Sequence, residues 1–582
     1  MNDADNPDDN SSAGKRGSSP AVEIVSDQDS EVIAGETLEQ VGTDSLESTG
    51  ENAPAHTEVS TGRSAVFVGA GILISRIVGL VRQRIFAHYF GNSAEGDAFS
   101  AAFRIPNFLQ NVFGEGALSA SFIPVYAKLL ANEDEKEATR VANAIFSILA
   151  LVTAVIVLVG VFATPYIVTL IAAGFEEERR QLTITLVRIF FPGAALLVLS
   201  AWCLGVLNSH HRFFISYTAP VAWNAALIAA LVFFGNRMDL SSLAAATAWA
   251  SVAGSALQFG VQLPAVLRLL HRFRPVLTLA NSHVRQVLNS FFPVFISRGV
   301  VQISAFVDAL LASFLGQGAV VALSYAQSLY TLPVSLFGMS VSAAELPAMS
   351  KTLGTADVVA ETLRNRLDQG LRRISFFIVP SAVAFLALGD VIAAVLYQTG
   401  KFTHNDSIYV WTILAGSAVG LLASTLGRLY SSTYYALRDT RTPLLYAVLR
   451  VALSGILGYF FSIHLPGLLG LDSKLGAAGL TSSAGIAGWI EFVLLRRSLN
   501  QRIGKTGLSV SYSAKLWVGA LVSAGVGWVL KLVVAGWHPI PLAIVVLGGY
   551  GICYFGVEYL FGATQAQTII RRILRMVPGR KI

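Results

Sequence analysis

The stretch LISRIVGLVRQ, from Leu73 to Gln83, determines the fold because a second copy follows it along the chain. The second copy is FISRGVVQISA, from Phe295 to Ala305, and its Ile-Ser-Arg tripeptide lies 222 residues after the first. Each copy places an arginine, Arg76 or Arg298, deep inside a long apolar run. A mid-membrane arginine costs roughly 2.5 to 3.5 kcal/mol by insertion scales. The pattern therefore predicts two matching halves, each with a buried positive charge.

Further matches follow in the same order. FGEGALSASFIPVYAKLL (Phe113 to Leu130) matches FGMSVSAAELPAMSKTL (Phe337 to Leu353), with the Phe-Gly pairs 224 residues apart and the later proline and lysine pairs 223 apart. TLIAAGF (Thr169 to Phe175) is echoed by AVLYQTGKF (Ala394 to Phe402). The near-constant offset indicates one internal repeat.

Composition places these halves in a membrane. The chain has 582 residues, of which 54% are hydrophobic and 13% charged, and its mean hydropathy is +0.60. Soluble chains carry about 25% charged residues, so this one could not cover a soluble surface. The composition excludes a soluble enzyme, a disordered chain and a DNA-binding module. Cys203 and Cys553 lie in apolar runs and are too few for a disulfide framework or a thiolate metal site, so no metal is expected.

Fourteen apolar stretches follow from about residue 64, each long enough to cross a bilayer as a helix. They lie near residues 65–88, 97–127, 141–172, 182–208, 215–235, 242–267, 286–315, 319–349, 374–397, 407–436, 443–464, 475–495, 512–534 and 540–562. The repeat holds six of them, an even number, so both copies enter the membrane in the same orientation. The sequence predicts an all-α polytopic membrane protein with two six-helix lobes, related by a pseudo-two-fold axis along the membrane normal, plus two C-terminal helices.

Charge sets the orientation and the domain limits. The links on one side of the membrane, with the C-terminus, hold 24 Lys and Arg residues, and those on the other side hold five. By the positive-inside rule both termini face the cytoplasm. Residues 1–63 carry 14 acidic side chains against three basic ones, a net charge of −11, and we expect a disordered acidic tail there. The predicted domains are this tail, an N-lobe (64–270), a C-lobe (271–500), a helix pair (501–565) and a basic cytoplasmic tail (566–582).

Three stretches carry a specific family resemblance: SRIVGLVRQRIFAHYFG (Ser75 to Gly91), GDAFSAAFRIPNFLQNVFGEGALSASFIPVYA (Gly96 to Ala127) and YAQSLYTLPVSLFGMSVSAAELPAMSK (Tyr325 to Lys351). They resemble the MurJ (MviN) family of lipid II flippases, in the multidrug/oligosaccharidyl-lipid/polysaccharide exporter superfamily. The resemblance covers residues 64 to 570. It implies the fourteen-helix fold, with the last two helices forming a lipid-facing groove.

The same resemblance implies a function in cell-wall biogenesis and cell shape. The protein is then a transporter rather than an enzyme, in the bacterial plasma (inner) membrane, and it moves lipid-linked peptidoglycan precursor to the outer leaflet by alternating access. Its substrate is an undecaprenyl-diphosphate-linked saccharide-peptide, lipid II. Membrane lipids and cell-wall synthesis proteins are the other partners considered, and nucleic acid is not expected. No cofactor is expected; the membrane potential, sodium or protons could drive transport.

Arginine suits a diphosphate because its guanidinium group can bind phosphate oxygens through two hydrogen bonds. We therefore expect the head group to contact Arg76, Arg82, Arg298 and Arg104. Asp97, Glu115 and Asp308 are the candidate supporting acids or coupling groups, and Gly79, Gly114 and Gly116 the candidate hinges. Arg76 and Arg82 lie about 240° apart on an ideal helix, so both reach one cavity only if the first span bends at Gly79. Intramembrane ion pairs with the three acids are the alternative, as is snorkelling for Arg104.

Two family charges are missing from this chain. Gln110 and Asn111 stand where many members carry arginines, and Gln327 and Ser328 stand where many carry an acid and an arginine. We hypothesise that Arg298 supplies the charge lost at Ser328. Arg298→Ala should then abolish growth support in a flippase-depletion strain, and full complementation would contradict the hypothesis. If Arg298 has only a structural role, a second change at Asp308 should restore activity.

Four other functions remain open on the residues alone. A flippase for another polyprenyl-diphosphate-linked oligosaccharide needs the same arginines. A cation-coupled multidrug exporter shares the fold, but a cavity dominated by arginine repels cations. An intramembrane glycosyl or phosphoglycosyl transferase needs an acidic metal-binding cluster, and no Asp-rich motif occurs outside the tail. A role as a scaffold for cell-wall enzymes would not explain why the chain has arginines in the middle of its membrane spans.

Overall fold

The computed structural model describes the backbone of residues 58–270, 272–352 and 354–576, and the side chains there except those of residues 58–72, 115, 297, 298, 300, 301, 356 and 572–576. Most of the predicted acidic tail and residues 577–582 of the basic tail lie outside it. The described part is helical and contains no strand. Its helices are α1 (Glu58–Phe90), α2 (Ala94–Leu109), α3 (Ser119–Ala131), α4 (Glu135–Ile171), α5 (Glu177–Ser209), α6 (Phe213–Phe234), α7 (Leu240–Leu269), α8 (Ser282–Ser313), α9 (Ala319–Pro333), α10 (Ser340–Ser350), α11 (Ala356–Tyr397), α12 (His404–Ala436), α13 (Arg441–Tyr459), α14 (Leu465–Leu468), α15 (Gly476–Ile503), α16 (Val510–Val533), α17 (Pro539–Leu560) and α18 (Thr564–Met576).

Some of these helices join end to end through π-helical segments. Gln110–Leu118 joins α2 to α3, Val334–Met339 joins α9 to α10, and Phe460–His464 joins α13 to α14. Counting joined helices once, the described part has fourteen long segments up to Leu560, one for each predicted span. Eleven are long and apolar enough to cross a membrane by themselves. The other three, residues 58–90, 94–131 and 282–313, are the ones that contain the candidate charged residues.

Polar residues at the loop ends explain where several helices begin. The Oγ atom of Ser93 accepts a hydrogen bond from the backbone N–H of Gly96 at 3.0 Å, before α2. The side chain of Asp239 caps α7 in the same way, by accepting a hydrogen bond from the backbone N–H of Ser242. The hydrogen bonds from Ser242 hold the pKa of this exposed carboxyl below its usual range. These caps satisfy N–H groups that lack a partner within the helix.

The internal repeat is visible in the backbone. Both Phe-Gly pairs of the repeat lie in the π-helical segments, and each glycine packs against a helix of its own half. A Cβ atom on Gly114 would lie 3.0 Å from Ala201, and one on Gly338 would lie 2.9 Å from Thr425. Ala201 and Thr425 are again 224 residues apart. The repeat is therefore structural, and the predicted two-lobe, all-α fold is confirmed.

Helix packing divides the chain as the repeat does. Helices α1, α2, α4, α5, α6 and α7 pack against one another, as do α9 to α13 with α15. Helices α16 and α17 pack against each other and against α11, so they attach to the second half. The domain limits stay a prediction: α7 ends at Leu269, and α15 continues to Ile503, beyond the predicted limit at residue 500.

Loops from each half contact the first helix of the other half. Gly174 follows α4, and its backbone N–H donates to Ser313 Oγ at the end of α8 at 3.0 Å. Gly400 follows α11, and any Cβ atom there would collide with the backbone oxygen of His88 in α1. The two loops belong to the TLIAAGF and AVLYQTGKF repeat pair. This reciprocal contact is what a pseudo-two-fold axis between the lobes requires.

A close helix approach in the C-lobe leads to a stability prediction. A Cβ atom on Gly485 in α15 would lie 2.7 Å from the backbone nitrogen of Gly420 in α12, whereas one on Gly488 would meet nothing within 4 Å. Gly485→Ala should destabilise the protein by about 1 to 3 kcal/mol through overpacking. Gly488→Ala, the matched control, should be neutral or stabilising by up to about 1 kcal/mol through helix propensity. Thermal unfolding of the purified variants tests this; equal midpoints would contradict the close packing.

Candidate functional site

A buried carboxylate joins the two lobes. Asp97 in α2 is fully buried, and its two oxygens accept hydrogen bonds from the backbone N–H groups of Gly318 at 2.6 Å and Val321 at 2.9 Å. These N–H groups belong to the N-terminus of α9, in the other half of the chain. A helix N-terminus carries unpaired N–H groups and a partial positive charge, so it stabilises a carboxylate. Asp97 therefore caps a helix of the opposite lobe.

The remaining partners of Asp97 are also positive. Asp97 lies in the first turn of α2, so the N-terminus of its own helix faces it as well. The Nη1 atom of Arg179 lies 3.5 Å from Asp97 Oδ2, and the Arg179 guanidinium stacks over the Phe175 ring at 5.0 Å. The ion-pair partner of Asp97 is thus Arg179, and not Arg76 or Arg82 as in the alternative considered above. Asp97 pairs with Arg179 because both lie at the loop ends of their helices.

We call the surface formed by loops 91–93, 172–176, 235–239, 314–318, 398–403 and 469–472 the far end; the charge bias predicts that it faces away from the cytoplasm. Direct contacts close it between the lobes. The backbone N–H of Lys401 donates to the His88 carbonyl at 2.8 Å, and Tyr325 Oη donates to the Gly91 carbonyl at 3.2 Å. Asn92 Nδ2 donates to Asp406 Oδ1 at 3.0 Å. The far end is thus sealed in this structure.

Arg82 lies among aromatic rings in the N-lobe. Its guanidinium carbon is 5.0 Å from the centre of the Trp223 ring and 5.8 Å from that of Phe103. Its Nε atom is buried and has no hydrogen-bond partner. Cation–π contacts stabilise an arginine only modestly, by about 0.5 to 2 kcal/mol, so they do not replace a carboxylate. Arg82 therefore retains hydrogen-bonding capacity for an anion.

Arg76 lies on an exposed part of α1 and contacts the opposite lobe. Its Nη1 atom donates to Ser335 Oγ at 2.9 Å, in the π-helical segment between α9 and α10. Helix α1 runs without interruption across Gly79, the candidate hinge. The two arginines have different partners in this structure. Neighbouring Gln83 donates to Ser328 Oγ at 2.6 Å, which links α1 to α9.

A polar cavity of about 360 Å³ lies where the C-lobe meets α2. Arg104, Arg428 and Arg450 line it together with Asp308, so positive charge is in excess. Arg104 does not snorkel: its Nη1 atom donates to the Ala305 carbonyl at 2.7 Å, and its Nε atom is buried without a hydrogen-bond partner. Arg450 forms an ion pair with Glu491 at 3.1 Å.

Arg428 and Arg450 were not among the predicted site residues, although both lie inside apolar spans. The sequence feature that could have identified them is the one used for Arg76: an arginine at a depth where the bilayer disfavours a charge. Two predicted residues, Glu115 and Arg298, have side chains outside the described residues. Gly114 and Gly116 fall in the π-helical segment Gln110–Leu118, where the helix departs from α geometry.

The arrangement suits an anion. Arg82 and Arg104 each keep a buried Nε atom without a partner, and both lie in predicted spans. Leaving a buried donor unsatisfied is unfavourable, and a guanidinium group prefers phosphate or carboxylate oxygens. These side chains therefore favour an anionic group at mid-membrane depth and disfavour a cation.

Comparisons with known sequences agree with this chemistry. A family profile described as "Lipid II flippase MurJ" matches residues 86–548. The "Lipid II flippase MurJ" of Burkholderia cenocepacia is 33% identical over 447 residues, which cover 76% of this chain and 84% of that protein. The "Probable lipid II flippase MurJ" of Rhizobium tropici is 30% identical over 540 residues, which cover 88% and 97%.

Solved structures show the same architecture. One described as "Lipid II flippase MurJ, inward closed conformation" aligns with a TM-score of 0.71 at 26% identity, covering 85% of this chain and 98% of that one. An inward-facing MATE transporter aligns with a TM-score of 0.60 at 18% identity, covering 75% and 98%, and shares the fold. Since the family profile spans most of the sequence and both relatives are at least 30% identical over three quarters or more of the chain, this chain belongs to the MurJ family of lipid II flippases.

Proposed function

We propose that this protein moves lipid II from the inner to the outer leaflet of the bacterial plasma membrane, by alternating access, for cell-wall synthesis. Family membership supports the substrate, since the relatives are named for lipid II. The observation that carries the proposal is the polar cavity lined by Arg104, Arg428 and Arg450, with Asp308 as the acid in its lining. Guanidinium groups in such a cavity match the oxygens of a diphosphate.

The physical problem concerns the head group alone. The polyprenyl tail stays in hydrocarbon throughout, whereas a diphosphate and sugars cannot cross hydrocarbon unaided. With the far end sealed and Arg76 exposed, the structure supports entry of the head group from the cytoplasmic side. Release then requires the Asp97 contacts to break and the far end to open. In this proposal both termini are cytoplasmic and the protein is not an enzyme.

The driving force is part of the proposal. No covalent step is required, and no cofactor is invoked. Moving one elementary charge across the membrane potential is worth about 2.3 kcal/mol per 100 mV, so the potential acting on an arginine-rich cavity is a sufficient drive. Sodium or proton coupling through Asp308 or Glu115 is the second option. Lipid II and membrane lipids are the proposed partners, cell-wall synthesis proteins are a further class, and nucleic acid has no role.

Two related functions use the same fold. A flippase for another polyprenyl-diphosphate-linked oligosaccharide would use the same arginines and differ only in sugar contacts. A cation-coupled drug exporter is disfavoured because the cavity keeps an excess of positive charge: Arg104, Arg428 and Arg450 line it, against Asp308 in the lining and Glu491 paired with Arg450. A scaffold for cell-wall enzymes would not need these arginines.

Complementation tests the proposed function. The gene is expressed in a bacterium depleted of its own lipid II flippase, and outer-leaflet lipid II is measured by its accessibility to an externally added enzyme. We expect growth and outer-leaflet lipid II to be restored. Normal membrane expression without restoration would refute lipid II as the substrate. Restoration of a different surface polysaccharide in the matching flippase mutant would favour the alternative oligosaccharide.

A further inference from the structure

An apolar cleft lies between the two lobes, on the membrane-facing side of α2, α4 and α8. Its volume is about 730 Å³, within the range of small-molecule sites. Ile105 of α2, Val159, Ala163 and Ile167 of α4, and Phe306 and Leu310 of α8 line it. The lining is almost entirely hydrocarbon. Because both lobes contribute, the shape of the cleft depends on how the lobes are placed.

The cleft lies in the half of the membrane nearest the far end. On α4 its lining extends to Ile171, the last residue of the helix, and on α8 it extends to Leu310, close to the last residue, Ser313. No water is available at this depth to satisfy a polar occupant, so only a hydrocarbon chain fits. The occupant must therefore come from a lipid of the far leaflet.

The polar cavity lies on the other face of the same helix pair. On α2, Arg104 lines the polar cavity and the next residue, Ile105, lines the cleft. On α8, Asp308 lines the polar cavity, whereas Phe306 lines the cleft. The seam between the two spaces is closed by the hydrogen bond from Arg104 to Ala305 and by the ring contact of Phe108 with Phe306 at 5.4 Å.

We propose that this cleft binds the isoprenoid chain of the lipid-linked substrate in the far leaflet, with the anionic head group on the polar side of the α2–α8 seam. The inference rests on the proposed function. It favours the substrate over a phospholipid because an ordinary phospholipid keeps its head group at the membrane surface. Once the contacts of the seam open, a lipid whose charged head is held inside the protein can use the arginine-lined and apolar spaces together.

Photolabelling tests the site without any substitution. The full-length protein is placed in lipid nanodiscs with an undecaprenyl diphosphate analogue that carries a diazirine on its chain. After illumination, the labelled residues are identified by peptide mass spectrometry. We expect labels on residues 155–171 of α4 and 303–310 of α8. A phospholipid with the same diazirine, at equal mole fraction, should label them much less. Equal labelling by both probes, or labelling confined to α16 and α17, would overturn the inference.

A matched pair of variants adds a functional readout. Ala163→Trp fills the cleft, whereas Leu158→Trp adds the same ring on an exposed part of α4 outside it. We expect Ala163→Trp to lower cleft labelling and the initial rate of lipid II movement by at least about tenfold, since excluding two methylene groups already corresponds to that factor. Leu158→Trp should leave both unchanged. If the unmodified protein moves lipid II but its cleft is not labelled, this inference is wrong and the proposed function stands. If the cleft is labelled but the protein does not move lipid II, the proposed function is wrong and the cleft still binds the isoprenoid chain.

Discussion

Asp97→Asn is expected to shift the protein toward a state open at the far end. The amide has one acceptor oxygen in place of two, so an N–H group at the start of α9 loses its partner and Arg179 loses its counter-ion. Removing one partner of a buried charged pair costs about 3 to 5 kcal/mol. That amount would change the ratio of sealed to open molecules by more than about a hundredfold.

A distance measurement between spin labels reports this shift. Asn236→Cys places a label on an exposed far-end loop of the N-lobe, and Lys474→Cys places one on the exposed 3-10 turn that follows far-end loop 469–472 of the C-lobe. Asp97→Asn should move the distance distribution to longer values and reduce lipid II movement, because the far end no longer closes. Asp239→Asn is the control, since this exposed far-end carboxylate caps its own helix, α7. An unchanged distribution in Asp97→Asn would show that Asp97 does not hold the seal.

Arg82→Gln is expected to have the second large effect, a loss of lipid II movement of at least about a hundredfold. Glutamine removes a charge-assisted contact with the diphosphate, which is worth about 3 kcal/mol or more in a buried site. Arg82→Lys should recover only part of the activity because an ammonium group cannot make the two parallel bonds of a guanidinium group. Initial rates in proteoliposomes, at matched protein density, give the comparison.

Arg237→Gln is the matched control for Arg82. Arg237 also stacks on an aromatic ring, Phe233, at 4.1 Å, but it lies on an exposed far-end loop. Loss of an aromatic contact alone should therefore leave transport unchanged in Arg237→Gln. If Arg82→Gln moves lipid II as fast as the unmodified protein, Arg82 is a structural cation and the proposed head-group contact is wrong.

The sequence was sufficient to predict the architecture because membrane helices and repeats depend on local composition. The Ile-Ser-Arg and Phe-Gly repeats predicted the two halves, and the π-helical segments at Gly114 and Gly338 follow the same offset. Arg82 and Arg104 could be identified as candidates because the bilayer makes any arginine at that depth unusual.

The partners of these residues could not be predicted. Asp97 caps α9, whose N-terminus lies more than 220 residues away, so the contact depends on how the lobes meet. Arg82 stacks on Trp223, and no spacing rule relates residues on α1 and α6. Which side chains contact each other depends on the tertiary structure, whereas the depth of a residue in the membrane can be predicted from its position within an apolar span. The same holds for Arg428 and Arg450. Their positions inside apolar spans made them unusual in the sequence, but only the structure shows that they line one cavity.

The central claim is that buried arginines bind the anionic head group of a lipid while it crosses the membrane. The most direct test is transport by the purified protein in liposomes, comparing lipid II with an undecaprenyl-linked saccharide that lacks phosphate. We expect lipid II to cross far faster than in protein-free liposomes and the uncharged analogue to remain at the protein-free rate. Equal rates for the two lipids, or no acceleration of lipid II, would contradict the account.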